Sequence, residues 1–404
     1  MRDPSRVRIS GALEPFAPGF AIELARQGYL PRAVVHHLHL VAHISRWLTE
    51  QGFPVSDLAT HAERFLTARR AAGYTTHRTG LALRPMLTYL RTLGLVPPAP
   101  APVLTSPVDV MLARYQQYLT IERGLGAATA RGYLDAVRPF LRTRLSPDGL
   151  HLEVPHLSAA DVTGFVVAHT PHQSRHAAKL TVSALRSFLR FLHVEGAITH
   201  PLVAAVPSVA GWRLAGLPKG VDPGQVRSLL ASCDRRTTAG CRDLAILTLL
   251  ARLGLRAAEV SALQLDDVDW RLGEIVVHGK GSRAERLPVP GDVGAAVAAY
   301  LRDGRPASAQ GRTVFVRLMA PHAALSPTGV TQVVASAAQR VGLGVIHAHR
   351  LRHFAAMQTL RAGGSLSEIK QLLRHVRMQT TAIYAKVDRD ALRTIAPPWP
   401  GGAA

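Results

Sequence analysis

Several kinds of residue are scarce in this chain of 404 residues. Its two cysteines, Cys233 and Cys241, have no metal-type spacing, which disfavours both a disulfide framework and a zinc cluster. We therefore expect two buried thiols in a reducing compartment. Aromatic residues make up 5% of the chain, so the cores are predicted to consist mainly of Leu, Val and Ala, which favours helices.

Long apolar runs are also missing, because polar or charged residues interrupt every apolar stretch. No transmembrane helix is predicted, and the first residues do not have the pattern of a signal peptide. The sequence therefore predicts a cytoplasmic protein rather than a membrane-bound or secreted one.

Acidic residues are outnumbered, since 48 Lys and Arg face 27 Asp and Glu, for a formal net charge of +21. This charge predicts a polyanionic partner, with nucleic acid as the first candidate and an anionic membrane as the second. Only five of the basic residues are lysines, so the excess is arginine and a lone arginine motif is weak evidence. A lysine at a motif position, such as Lys280, is stronger evidence.

Two proline-rich stretches, 96–102 and 201–220, divide the chain. The first two segments have the apolar period of amphipathic helices and resemble each other, for example at 26–30 and 122–126. The predicted parts are an extra N-terminal helical domain, a second helical domain, a linker and a larger third domain, with bounds 1–104, 105–206, 207–220 and 221–404.

The third segment has mixed secondary structure. A helix is predicted from Asp243 to Leu253, and two strands, 274–278 and 286–289, are joined by a hairpin loop that contains Lys280. Further helices are predicted at 328–341 and 349–361, then after a capping box of Ser365 and Glu368, and from Thr380 through Tyr384. This pattern predicts an α+β domain with a small antiparallel sheet.

One set of polar residues suits attack on a phosphodiester. His349, Arg352 and His353 are spaced to share one helix face, and the fork of an arginine matches two phosphate oxygens. Arg256 could complete such a clamp. Tyrosine has a pKa of about 10 in water, so Tyr384 would need nearby cations and a base to act as a nucleophile.

His349 or His375 could be that base or could hold the phosphate, and Lys280 could give a proton to the departing 5′-oxygen. The scheme requires neither a metal nor another cofactor, because arginines neutralise the phosphate and a phosphotyrosyl ester conserves the energy of the broken bond.

These residues occur in the order and spacing of the tyrosine recombinase (phage integrase) family, which the segment from about Leu217 to Val387 resembles. The resemblance implies that Arg256 and Arg352 clamp the scissile phosphate and that Lys280 is the general acid. It further implies that Tyr384 is the nucleophile that joins the DNA 3′-phosphate. His349 and His375 would assist, while Glu259, a buried brace of the first arginine, and His353 would support the site.

The middle segment resembles the core-binding domain of this family, and the extra N-terminal segment resembles long forms from bacterial transposons and integrative elements. Arg374 stands where the family usually has glycine, so the resemblance leaves the backbone turn before His375 open.

The resemblance implies a multidomain protein with two mainly α-helical bundles and an α+β catalytic domain. It would act on double-stranded DNA recombination sites as a homo-tetramer in synapsis, with companion recombinases or accessory DNA-bending proteins as possible partners and no membrane. Such an enzyme would integrate or excise a mobile element and would be associated with the bacterial nucleoid. The alternatives are a type IB-like topoisomerase, which relaxes DNA without pairing two sites, and a catalytically inactive DNA-binding protein of the same fold.

Overall fold

The structure is a computed structural model that describes residues 7–98, 106–210, 221–279 and 284–384. The chain forms two compact units, one made of Met1–Pro98 with Gly216–Ala404 and the other of Ala99–Ala215. Among the described residues, no helix is both long enough and apolar enough to cross a membrane.

The N-terminal part of the first unit is a four-helix bundle with an apolar core of its own. Its longest helix begins at Pro31, where proline suits the first turn, and ends before Gly52, whose positive φ of 67° is accessible to glycine. The predicted apolar positions Leu38, Val41, Ile44 and Leu48 of this helix are buried. The four helices are α1 Ala17–Arg26, α2 Pro31–Gln51, α3 Leu58–Ala71 and α4 Gly80–Thr92.

The turn after α1 contacts a loop near the middle of the catalytic part. Arg26 donates a hydrogen bond to Gln310, and His322 lies so close to Gly28 that a side chain at that position would clash with it. Gly28 also has a φ of 88°, which disfavours other residues there. The two parts of the first unit therefore meet at a tight glycine contact.

The second unit is also a helical bundle, as predicted. Its core is formed by Tyr115, Phe140, Phe188 and Phe191, all at most 1% exposed. Phe188 and Phe191 lie on one face of the longest helix, which Ser174 caps through its hydroxyl. The helices are α5 Pro107–Gln117, α6 Ala127–Arg142, α7 Ala159–His169 and α8 Arg175–Val194.

The catalytic part of the first unit has helices around a small sheet. Its three antiparallel strands follow in the order β1-β2-β3, and Ile275 and Val277 of β2 face the apolar core. The described elements are β1 Val268–Asp269, β2 Glu274–His278 and β3 Ala284–Pro288, with helices α9 Pro223–Ala231, α10 Thr238–Arg252, α11 Ala257–Ala262, α12 Gly291–Ala299, α13 Pro327–Arg340, α14 Ala348–Arg361, α15 Leu366–Leu372 and α16 Met378–Thr381.

The predicted fold class is confirmed, because the described residues are mostly helical and have a small antiparallel sheet in the catalytic part. The hairpin residue Lys280 and the predicted linker residues 211–220 lie outside the described residues.

One local prediction was wrong. Tyr384 was expected within a helix that starts at Thr380, but α16 ends at Thr381 and Tyr384 follows in a turn. The backbone N–H of Tyr384 donates to the carbonyl of Thr381 at 2.9 Å. β-Branched threonines are weak helix formers, and the Thr381 side chain is instead used in a contact with His375.

Candidate active site

Arg256 stands at the junction between α10 and α11. Gly254 precedes it in the left-handed region, with a φ of 57°, which turns the chain so that α11 begins directly after Arg256. Glu259, one turn into α11, accepts the backbone N–H of Arg256 at 2.8 Å and also accepts from its guanidinium. The carboxylate therefore holds both the backbone and the side chain of Arg256, whose side chain is 41% exposed.

Glu259 is buried, and burial by itself would raise the pKa of its carboxyl group. The backbone N–H of Arg256 and the positive charges of Arg374 and Arg256 outweigh that effect and hold the pKa of Glu259 below its usual value. Glu259 is therefore ionised at neutral pH.

Helix α14 carries His349, Arg352 and His353. Arg352 is 1% exposed, and its guanidinium donates to the backbone carbonyls of Gly254 and Leu373. Burial, and then the charges of Arg256 and Arg374, lower the pKa of Arg352 to about 9, so it keeps its charge at neutral pH. This arginine links α14 to the segments that carry Arg256 and His375.

Tyr384 is 1% exposed, and its hydroxyl lies 2.7 Å from Nδ1 of His353. Burial raises the pKa of Tyr384 to about 12, although the charge of Arg352 acts in the opposite direction. Burial, and then the neighbouring His349 and Arg352, lower the pKa of His353 to about 4. At neutral pH the phenol and the imidazole are therefore both neutral, and the phenol donates to Nδ1 in the tautomer that carries the ring proton on Nε2.

His375 follows α15 and contacts the segment that leads to the tyrosine. Its Nδ1 lies 2.9 Å from the hydroxyl of Thr381. Burial, followed by the charges of Arg352 and Arg256, lowers the pKa of His375 to about 4. His375 is thus neutral, lies near Arg352 and Arg256, and is held by Thr381 in the segment that leads to Tyr384.

A cleft of about 280 Å³ opens beside these residues. Arg256, Lys370, Arg374 and His375 contribute its basic side chains, and Glu285 is the acidic residue that lines it. This balance of charge suits a phosphate group. Gly279, the neighbour of Lys280 in sequence, also lines the cleft.

The structure thus brings together most of the predicted site. Arg256 and His375 line the cleft, Arg352 lies beneath the surface, and His353 contacts Tyr384. His349 packs against the ring of His353, with 4.4 Å between the ring centroids. Lys280 lies outside the described residues.

Sequence reasoning did not identify Arg374 and Thr381 as parts of this site. Arg374 has a φ of 52°, so the turn before His375 keeps a conformation that glycine prefers. An arginine in place of an expected glycine was visible in the sequence, but its ion pair with Glu259 required the fold.

Comparisons with known proteins agree with this geometry. Residues 219–390 match the phage integrase family, and residues 112–196 match the phage integrase N-terminal SAM-like domain. The chain is 41% identical to the integrase/recombinase y4rA of Sinorhizobium fredii over 95% of this chain and 94% of that protein. It is 34% identical to the tyrosine recombinase XerC of Shewanella amazonensis, over 69% of this chain and 91% of that protein.

Among solved structures, the XerH site-specific recombinase bound to palindromic difH substrate has a similar fold. The TM-score is 0.56 at 16% identity, over 73% of this chain and 97% of the XerH chain. The cationic cleft, the sheet-containing helical domain and the relatives together identify a DNA strand transferase. The chain belongs to the phage integrase family of tyrosine recombinases and is a site-specific recombinase that cuts and rejoins DNA strands.

The low pKa values of His353 and His375 predict that the protein loses stability as the pH falls. Unfolded histidines titrate near pH 6.5, whereas these two titrate near pH 4 in the folded state. Between these values the unfolded chain binds more protons, so acid favours unfolding. Between pH 7 and pH 5 we expect a loss on the order of 1 kcal/mol for each histidine, after allowance for partial exposure.

Urea denaturation at the two pH values measures this loss. The double variant His353→Gln/His375→Gln should lose about 2 kcal/mol less than the wild type between pH 7 and pH 5. An equal loss in both proteins would contradict the assignment of acid sensitivity to these histidines.

Proposed function

We propose that this recombinase cleaves each strand of a double-stranded recombination site by attack of Tyr384 on the scissile phosphodiester. A bond forms between the tyrosine oxygen and phosphorus, and the bond from phosphorus to the 5′-oxygen breaks. The products are a 3′-phosphotyrosyl protein–DNA ester and a free 5′-hydroxyl. The 2.7 Å contact between the hydroxyl of Tyr384 and Nδ1 of His353 is the observation that carries this proposal.

The arginines neutralise the phosphate. Arg256 is held by Glu259 with its side chain partly exposed, which leaves guanidinium N–H groups for a ligand in the cleft. Arg352 is buried and fixed by two carbonyls, so its charge acts from below the site. Preorganised cations of this kind stabilise the charge that a phosphate gains in the transition state.

The proton of the tyrosine passes to His353 in this proposal. The sequence left open whether His349 and His375 supply the base or hold the phosphate, whereas the described contact of the Tyr384 hydroxyl is with His353. A candidate base must lie within hydrogen-bond distance of the proton that it removes, and His353 satisfies this condition. Lys280 then supplies the proton for the departing 5′-oxygen, while His349 and His375 support the cleft.

Attack also requires a change at the tyrosine. Tyr384 is 1% exposed, and a reacting oxygen has to come within about 3–3.5 Å of phosphorus. DNA binding must therefore shift the turn that carries Tyr384, or open the protein around it.

The DNA and the assembly are inferred from the relatives. XerH was solved on a palindromic difH substrate, and lambda integrase was solved as a dimer on a core site. We propose that two copies of this chain bind each recombination site and that two such sites pair in a homo-tetramer. Residues 105–206 would be the core-binding domain and residues 1–104 an additional DNA-binding or assembly domain.

A nicked duplex tests the function. The test uses duplexes taken from the DNA that flanks the gene, each with a nick close to the expected cleavage position. After attack, the short strand between the nick and the cleaved bond diffuses away. The strands cannot be rejoined, so the covalent product accumulates. We define the capture duplex as the one that forms this product with the wild-type enzyme. Mass spectrometry should then locate the attached nucleotide on Tyr384, and attachment to any other residue would contradict the proposal.

Replacing Arg256 with alanine should slow formation of this product by roughly two to three orders of magnitude, the usual effect of losing one charge-stabilising donor. Equilibrium binding of the capture duplex should change much less, because many other cations of the chain remain. Arg236→Ala is the matched control, since the side chain of Arg236 is 91% exposed and pairs with Asp234. Equal effects of the two substitutions would contradict a specific role for Arg256.

A further inference from the structure

We propose that Arg374 is a positioning residue that keeps Arg256 available for the scissile phosphate by sharing the charge of Glu259. This inference rests on the proposed function and adds a residue that the predicted set of site residues does not contain. Arg374 itself need not touch DNA in this role, because it acts through Glu259.

The backbone at Arg374 is the first observation. Its φ of 52° lies in the left-handed region, which costs free energy for any residue except glycine. His77 is the other described residue besides glycine with a positive φ. Strained backbone of this kind persists where the surrounding structure holds it, and it is concentrated at functional sites.

The contacts of the side chain are the second observation. Nη2 of Arg374 donates to Oε2 of Glu259 at 2.8 Å, and Nη1 donates to the carbonyl of Leu372 at 2.8 Å. Nη2 also lies 3.4 Å from the carbonyl of Gly254, the same carbonyl that accepts from Arg352. The side chains of Arg374 and Glu259 are 3% and 4% exposed, so this pair is buried.

The two oxygens of Glu259 are used differently. Oε1 accepts from the guanidinium of Arg256, whereas Oε2 accepts from the backbone N–H of Arg256 and from Arg374. Arg374 therefore holds Oε2 of Glu259 in place, which leaves Oε1 directed at the guanidinium of Arg256. The carboxylate cannot turn away from Arg256 without breaking the buried ion pair with Arg374.

The charges explain why a second cation matters. A buried Glu259 paired with Arg256 alone would give a neutral pair at the edge of the cleft, and the attraction of Arg256 for a phosphate would be reduced. With Arg374 the group has two positive charges and one negative charge. The net charge of +1 leaves the cleft attractive to an anion.

Two variants test this role with the full-length protein on the capture duplex. Arg374→Gly removes the cation and suits the left-handed backbone, while Arg374→Lys keeps the charge but lacks the planar fork. His77→Gly is the matched control, because it relaxes the same backbone conformation in the N-terminal bundle, away from the cleft. Each variant is compared on a normal scissile phosphate and on a methylphosphonate, which lacks the negative charge.

With the phosphate, Arg374→Gly should form the covalent product about 10- to 100-fold more slowly than the wild type, the range expected for a misplaced catalytic group. With the methylphosphonate, which carries one negative charge fewer in both the ground state and the transition state, the difference should shrink to about 3-fold or less. Arg374→Lys should stay within about 10-fold of the wild type on the phosphate, because it keeps the charge. His77→Gly should resemble the wild type on both substrates.

A purely structural role would slow both substrates by the same factor, and that result would overturn the proposal, as would a wild-type rate for Arg374→Gly. If Arg374→Gly has a lowered melting temperature, the comparison between Arg374→Lys and the wild type replaces it as the test. A lysine variant as slow on the phosphate as the glycine variant would overturn a role based on charge. If the wild type forms a covalent product with none of the flanking duplexes, so that no capture duplex exists, the proposed function is contradicted instead.

Discussion

Replacing Tyr384 with phenylalanine is expected to abolish the covalent protein–DNA product. The substitution removes the attacking oxygen and leaves the buried ring, so the packing around position 384 should persist. The lost hydrogen bond to His353 should lower the free energy of unfolding by about 1 kcal/mol. Denaturing gels with the capture duplex measure the product, and gel shifts measure binding, which should remain close to that of the wild type.

Tyr300→Phe provides the matched control for this experiment. Tyr300 is also buried, at 0% exposure, and its hydroxyl accepts the backbone N–H of Val316 at 3.3 Å. Its substitution removes one buried hydroxyl that contacts Val316 and does not line the cleft, and it should leave the covalent product intact. A product that persists in Tyr384→Phe would assign the nucleophile to another residue.

The order and spacing of the polar residues carry the resemblance that predicts the fold class, which is confirmed, whereas the roles of the site residues stay predictions. The face of α14 that carries Arg352 follows from helical periodicity, and the resemblance implies the brace formed by Glu259, which lies three residues after Arg256. Such local relations depend on residues that are close in the sequence, so they can be predicted without the tertiary structure.

The contacts between distant segments could not be predicted in this way. His353 and Tyr384 are 31 residues apart, and Glu259 and Arg374 are 115 residues apart. The sequence alone does not show which histidine contacts Tyr384. His349 and His353 share one face of α14, and His375 lies in a loop whose position depends on the fold. The tertiary structure determines which histidine it is. The fold packs Tyr384 against His353, and the burial of His353 lowers its pKa.

Replacing His353 with glutamine should slow formation of the covalent product by about two to four orders of magnitude, the usual contribution of a general base. Glutamine can accept the hydrogen bond of Tyr384, but it cannot take up the proton. The more informative result is the dependence on pH. In the wild type, His353 with a pKa of about 4 is already neutral between pH 6 and pH 8, so the rate should be nearly flat in this range.

In the variant, the reaction must use the small fraction of Tyr384 that is already ionised. Because the pKa of Tyr384 is about 12, this fraction rises about tenfold for each pH unit throughout that range. The rate of His353→Gln should therefore rise about tenfold per unit, approaching that of the wild type at high pH. His375→Gln should slow the reaction and keep the flat profile. If His353 only positions the tyrosine, its variant will be slow but will show the same flat profile as the wild type.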